Sequence, residues 1–131
     1  MTNTNDVVVV AERAIRYERL SEIILDSAPN FALSAEYLKV LESGNEDLQG
    51  VVLAAFGRYL MRLLAEEPHS VPGGFLLLEE LAESGESEIL DALVNEVFEV
   101  RAESDAEITR FRSHLGPVSR ELYDHSCRSI T

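Results

Sequence analysis

Apolar side chains recur every three or four residues through most of this chain, and that spacing is typical of amphipathic helices. One buried helix face, for example, is predicted from Phe31, Ala35, Leu38 and Leu41. The whole pattern predicts seven helices, at 6–26, 30–43, 46–65, 75–84, 86–102, 104–115 and 117–124. The predicted fold class is therefore all-α.

Two short stretches of the sequence resemble each other. LESGNEDLQGVV begins at Leu41, and AESGESEILDAL begins at Ala82. Gly44 and Gly85 suit the left-handed conformation that ends a helix, and the acids after each glycine favour the start of the next helix. Residues 31–64 and 75–102 are thus predicted to form two helical hairpins.

Stacked hairpins with a period near 41 residues are typical of HEAT-type repeats. We expect one domain over 1–131, built as a short HEAT-like α-solenoid with flanking helices at 6–26 and 104–124. An irregular helical bundle is the alternative. The helix at 46–65, with Leu48 in its apolar set, is the expected centre of the core, and its small residues Gly50, Ala54 and Gly57 are expected to lie against another helix. The Pro- and Gly-rich segment 66–74 is predicted to be a linker.

Acidic residues are unevenly distributed. The net charge is −13, and the segment from Leu63 to Glu107 holds thirteen acids and a single base, Arg101. Such a field repels nucleic acid and anionic membranes and attracts cationic partners. No apolar run approaches the length of a membrane span, and the N-terminal residues lack the features of a signal peptide. Cys127 is the single cysteine, which fits a reducing compartment. We expect a cytoplasmic protein.

The residues that usually carry catalysis are scattered. His69, His114 and His125 match no zinc motif, and His125 with Cys127 is the only close pair of metal ligands. Gly73 and Gly74 lack the Lys-Ser/Thr of a phosphate loop. The glutamates around 79–88 lack the alternation and central glycine of a calcium loop. We expect no enzyme activity, no metal and no cofactor, and therefore an interaction module.

The acids of the second hairpin are the predicted partner-binding surface. They lie opposite the apolar arcs of their helices, which predicts one exposed negative surface. Leu76 falls between two of them on a helical wheel, where it is either an apolar anchor for a partner or a residue packed beneath the Pro-Gly loop. The predicted partner-binding residues are Leu76, Glu79, Glu80, Glu83, Glu88, Asp91, Asn95 and Glu99.

A resemblance adds a role to this surface. FLLLEELAESGESEILDALVNEVFE, followed by FRSHLGPVSREL, is similar to a family of small acidic helical bacterial proteins that resemble immunity proteins encoded beside polymorphic toxins. Their ending has the form Leu-Gly-Pro-x-x-Arg-x-Glu-Leu, here residues 115–122. The resemblance covers roughly residues 31–122. It implies a helical fold and a protective role, and it supplies no catalytic residue.

We therefore expect an immunity protein that binds and neutralises a cationic toxin effector, with a nuclease as the natural candidate because a phosphate-binding site is basic. The chain is expected to be a monomer or a weak homodimer that binds neither nucleic acid nor membrane. One alternative is a HEAT-like adaptor for an endogenous partner. Another is a helical domain that binds a small ligand.

Overall fold

The computed structural model describes residues 15–99 and 105–130, and all regular structure in these ranges is helical. The all-α prediction is confirmed for this part of the chain. Residues 6–14 and 100–104 of the predicted helices lie outside the described residues. The described α-helices are α1 (Leu20–Ser27), α2 (Pro29–Ala32), α3 (Ala35–Ser43), α4 (Gln49–Glu66), α5 (Pro72–Glu83), α6 (Ser87–Ala92), α7 (Asp105–His114) and α8 (Pro117–Ile130). A π-helical segment, Leu93–Phe98, continues α6, and 3-10 turns occupy Tyr17–Arg19 and Pro68–Ser70.

The two Glu-Ser-Gly turns have the predicted local structure. Gly44 and Gly85 have φ of 73° and 70°, a region that glycine enters at little cost. The serine before each glycine donates a hydrogen bond back to its helix, from Ser43 Oγ to Val40 O at 3.0 Å and from Ser84 Oγ to Leu81 O at 2.6 Å. The shared sequence thus encodes the same way of ending a helix twice.

Helix α4 is the centre of the core, as predicted. Nine of its residues are buried, including Gly57, and it packs against α1, α3, α7 and the π segment. A methyl group added at Gly50 would lie 3.7 Å from Glu96 Oε1. The small-residue side of α4 therefore lies beside the π segment at this point. Leu48 precedes the first turn of α4 and is exposed, contrary to its place in the predicted apolar set.

The prediction of one helix over 30–43 is wrong, because the chain breaks between α2 and α3. Ser34 caps α3 by accepting a hydrogen bond from the backbone N–H of Tyr37 at 3.2 Å. This break changes the register of the buried face. Tyr37 and Val40 are buried, whereas Leu38 and Leu41 are exposed.

The predicted linker at 66–74 is also largely helical. Pro72 occupies the first turn of α5, where a missing N–H costs nothing. Gly74 lies inside that helix and packs so closely on Leu60 of α4 that an added methyl group would collide with the leucine side chain. The C-terminal residues differ from expectation as well, since α8 continues past 124 to Ile130.

Helix α5 is buried on most of its circumference. Its neighbours include α6 and α8, and its ring at Phe75 packs on Phe111 of α7 at a centroid distance of 5.3 Å. Phe98 and Tyr123 complete this aromatic cluster. The elements from α5 to α8 therefore share a packed region, and they leave only a narrow stripe of α5 exposed.

Candidate partner-binding site

Three of the eight predicted partner-binding residues form the α5 stripe, which consists of Leu76, Glu80 and Glu83. All three are exposed, and their spacing of four and three residues places them on one helix face. Leu76 is 61% exposed. The alternative that it packs beneath the Pro-Gly loop is therefore wrong, and its apolar side chain is exposed at the N-terminal end of the row that Glu80 and Glu83 continue.

Three more of the predicted residues line one cavity of about 280 Å³. Glu88, Asp91 and Asn95 are exposed along one side of α6 and the π segment. We call this cavity the acidic cavity; its lining is Tyr17, Gly50, Glu88, Asp91, Ala92, Asn95 and Glu96.

Two hydrogen bonds position the opposite wall of the acidic cavity. The backbone N–H of Tyr17 donates to Glu86 Oε1 at 3.2 Å, and the backbone N–H of Ser21 donates to Gln49 Oε1 at 2.7 Å. These bonds hold the first 3-10 turn and α1 against the starts of α6 and α4. Gly50 then leaves room for the Tyr17 hydroxyl, which lies 3.7 Å from the position of an added methyl group.

The π segment explains why Glu96 belongs to the acidic cavity. The backbone N–H of Glu99 donates to Val94 O at 2.9 Å, a step of five residues instead of four. A π turn holds more residues than an α turn, so it rotates Glu96 toward the face of Asp91. Regular α periodicity places these two side chains on different faces, and for that reason the sequence did not predict Glu96. Tyr17 and Gly50 were also missed, because they come from distant parts of the chain.

The acidic cavity is suited to a cationic group. Three carboxylates line it, and none of its described lining residues is Lys, Arg or His. Ionised carboxylates only accept hydrogen bonds, so a group that pairs with them must be a donor. A guanidinium presents several N–H donors in a planar fork and pairs with a carboxylate through two bonds, and an ammonium donates three. A lysine or arginine side chain of a partner fits this chemistry.

Glu79 differs from the other predicted site residues, because it is only 9% exposed. Its Oε2 accepts a hydrogen bond from the backbone N–H of Val118 at 3.0 Å. Its Oε1 accepts from the backbone N–H and the hydroxyl of Ser119, both at 2.8 Å. The carboxylate therefore caps the N-terminus of α8 and is not part of the exposed acidic surface.

Burial alone would raise the pKa of the Glu79 carboxyl. The hydrogen bonds from Ser119 and Val118, with the nearby Arg120 guanidinium, outweigh burial and hold that pKa below its usual value. Gly116 makes room for this arrangement, since a methyl group added there would lie 2.6 Å from Glu79 Cδ.

Glu99, the last of the eight, is exposed just beyond the π segment. The five acids outside Glu79 are thus all at the surface, in the α5 stripe, in the acidic cavity and at Glu99. The histidines weighed as ligands lie on separate elements, and the side chain of Cys127 lies outside the described residues. Within residues 15–99 and 105–130, no group of three or more His, Cys, Asp or Glu is arranged to hold a metal ion.

In the same part of the chain, no helix has both the length and the hydropathy needed to span a bilayer. Comparisons of the chain with protein-family models, with curated proteins and with solved structures found no match.

Proposed function

We propose that this chain is an immunity-type inhibitor, a small cytoplasmic protein that binds a cationic toxin effector through the acidic cavity and occludes it. The observation that carries the proposal is the convergence of Glu88, Asp91 and Glu96 around one cavity beside Asn95. A basic side chain of the toxin enters this cavity, and the surrounding acids steer the encounter.

The physical basis of the steering is the charge distribution. Of the net charge of −13, nearly all comes from the segment that contains the α5 stripe and the acidic cavity. A concentrated field of one sign raises association rates with an oppositely charged partner, and salt screens the effect. A partner whose own active site binds phosphate carries the complementary charge, so a nuclease remains the natural candidate.

Leu76 supplies a second kind of contact in this proposal. Interfaces combine an apolar anchor, which carries much of the affinity, with charged residues that set orientation and rate. Leu76 is the apolar member of the α5 stripe and precedes Glu80 by about one helical turn and Glu83 by about two. In the complex it packs against an apolar spot of the toxin while the two glutamates meet basic residues around it.

We further propose that the two hairpins stack as short HEAT-like repeats, and that the chain acts as a monomer or a weak homodimer. The matching serine bonds at Ser43 and Ser84 and the packing of α4 against the π segment of the second hairpin support this arrangement. The position of the bound toxin would decide whether it contacts the concave or the convex face of the stacked repeats.

The test uses two charge-matched double variants of the tagged chain. Glu88→Lys with Asp91→Lys reverses two acids of the acidic cavity, and Glu42→Lys with Glu46→Lys reverses two exposed acids of the first hairpin. Both variants change the net charge equally. The three proteins are used to capture partners from cells that naturally encode the chain, and the captured proteins are quantified.

The expected result is a basic protein that the unmodified chain and the first-hairpin variant retain and that the cavity variant loses. Expressed alone, that protein should arrest growth, and co-expression of the unmodified chain should restore it. Equal capture by both variants would remove the acidic cavity from the proposal. A harmless captured partner would replace the immunity role with that of an adaptor.

A further inference from the structure

Three leucines of the first hairpin stay exposed when the described part of the chain folds. Leu33 is 86% exposed between α2 and α3, and Leu38 and Leu41 on α3 are 55% and 45% exposed. Leu33 comes directly before the capping residue Ser34, and Leu38 is the fourth residue of α3, so their side chains are neighbours at the helix start. Leu38 and Leu41 are three residues apart and lie side by side. We call these three leucines the α3 leucine row.

The distribution of charge limits what can cover the α3 leucine row. Residues 31–64 hold four acids and three bases, whereas residues 75–102 hold eight acids and a single base, Arg101. Two copies of the chain repel each other through their second hairpins, where the like charges are concentrated. A cationic partner, in turn, gains little attraction from the nearly neutral first hairpin. The row is therefore on the part of the molecule where a second copy meets the least repulsion.

Helix α3 also lies apart from the acids of the second hairpin. Its main contacts are with α2 and α4, and α4 in turn packs against the π segment. Helix α4 therefore lies between the α3 leucine row and the acidic cavity. A second copy that packs on α3 keeps its own acidic cavity at a distance from that of the first copy.

Two charged side chains beside the row make this surface complementary to itself. Lys39 and Glu42 are exposed on α3, and neither forms an ion pair with a residue that the structure describes. Two α3 helices that pack antiparallel about a twofold axis between residues 40 and 41 bring Lys39 of each copy opposite Glu42 of the other. In the same arrangement Leu38 lies beside Leu41 of the other copy. Such reciprocal contacts are what a twofold interface requires.

The size of this contact predicts a weak dimer. Helix α3 has nine residues and is therefore about 14 Å long. A pair of helices of this length, with the flanking leucines, buries less than the ~1,200 Å² of total surface that is usual for stable complexes. The dissociation constant should accordingly lie above about 1 µM.

We propose that the α3 leucine row joins two copies of this chain in an antiparallel twofold dimer. The leucines form the centre of the interface, and two reciprocal pairs between Lys39 and Glu42 set its register. Neither the acidic cavity nor the α5 stripe contributes a residue, so each copy keeps its proposed binding surface. The inference specifies an interface for self-association and does not depend on the identity of the proposed toxin.

The first test measures self-association of the full chain by sedimentation velocity over a wide range of protein concentration. The sedimentation coefficient of the unmodified chain should rise with concentration. Leu38→Glu should raise the dissociation constant of the dimer by about tenfold or more, because it places a charge at the centre of the interface. Leu76→Glu is the matched control, since it adds the same charge at another exposed leucine, on α5. This control should leave the dissociation constant unchanged.

The second test exchanges the two charges beside the row. Lys39→Glu brings like charges together across the interface and should raise the dissociation constant by about threefold to tenfold. The double variant, Lys39→Glu with Glu42→Lys, has the net charge of the unmodified chain and restores both pairs with their signs reversed. It should recover the dissociation constant of the unmodified chain. Both positions are exposed, so these variants should fold, and thermal melting checks that they do.

A chain that stays monomeric at every concentration would overturn the proposal, as would equal losses with Leu38→Glu and Leu76→Glu. A double variant that associates no better than Lys39→Glu would reject the antiparallel register. Loss of toxin capture by Leu38→Glu from a chain that does not dimerise would assign the leucine row to the toxin instead. Failure of the acidic-cavity variants to affect toxin capture would count against the proposed function alone and leave the dimer standing.

Discussion

Leu38 and Glu79 occupy the same position ahead of the two Glu-Ser-Gly turns, yet their burial is reversed. The leucine is 55% exposed on α3, and the glutamate is 9% exposed on α5. The residues next to the turns differ in the same sense, since Leu41 is exposed and Ala82 is buried. The first hairpin thus leaves apolar side chains in solvent where the second buries a carboxylate.

The cause of this reversal lies outside the repeats. Helix α8 packs on α5, and its N-terminus presents backbone N–H groups that a carboxylate satisfies. At the start of a helix, such groups have no partner within the helix. A negative charge there is favourable, so burial of Glu79 is stable in a way that burial of an isolated charge is not. The repeated sequence determines the turn, and the packing of α8 on α5 determines which side chains of α5 are buried.

The largest expected difference in stability is between the alanine variants of Glu79 and Leu38. Glu79→Ala leaves the N–H groups of Val118 and Ser119 without their acceptor and should lower the free energy of unfolding by about 2–4 kcal/mol. Leu38→Ala should change it by less than about 0.5 kcal/mol, as is usual for an exposed residue. Urea unfolding of both variants measures the difference. Similar losses would mean that α8 does not depend on Glu79.

The space beside Glu79 provides the next test. Gly116→Ala places a methyl group against the Glu79 carboxylate, and it should lower the free energy of unfolding by about 1–3 kcal/mol through overpacking. Gly73→Ala is the matched control, because nothing lies within 4 Å of the added methyl group. In α5 this control should be neutral or stabilising by up to about 1 kcal/mol. If both alanines are tolerated, the close approach at Gly116 is not required.

The features that the sequence predicted are those that follow from residue spacing along regular helices. The helical class, both glycine turns and the central role of α4 depend on local spacing and were predicted correctly. The break at Ser34 was missed because a side-chain cap there outweighed the apolar periodicity. The helical start at Pro72 was missed because its Pro and Gly residues predicted a linker, whereas the proline occupies the first turn of a helix. At the candidate site, Glu88, Asp91 and Asn95 follow from a helical wheel. Glu96 does not, since it reaches the cavity through the π segment.

The pH dependence of the free energy of unfolding should distinguish the contribution of the buried Glu79 carboxylate from that of the exposed acids. The pKa of Glu79 is lowered in the folded protein. Its contribution is therefore complete above the unfolded-state pKa of about 4.3 and is lost as pH falls through the lowered folded value. The difference in unfolding free energy between the unmodified chain and Glu79→Gln should be constant near neutral pH and shrink below about pH 4. A difference that grows on acidification would contradict the capping role.

The smallest expected effect compares the exposed acids of the two hairpins. Glu88→Lys with Asp91→Lys should leave the free energy of unfolding within about 0.5 kcal/mol of the unmodified value, because exposed carboxylates contribute little to folding. The variant should be slightly more stable than the unmodified chain, since the reversal relieves repulsion among the acids of the cavity. Glu42→Lys with Glu46→Lys removes exposed acids in the first hairpin, where the charge is less concentrated, and should stabilise less. Thermal melting at low and high salt checks both, because the stabilisation should fade as salt screens the repulsion. A loss of more than about 1 kcal/mol in the cavity variant would instead assign these carboxylates to the stability of the fold, and binding would then have to be sought on the α5 stripe.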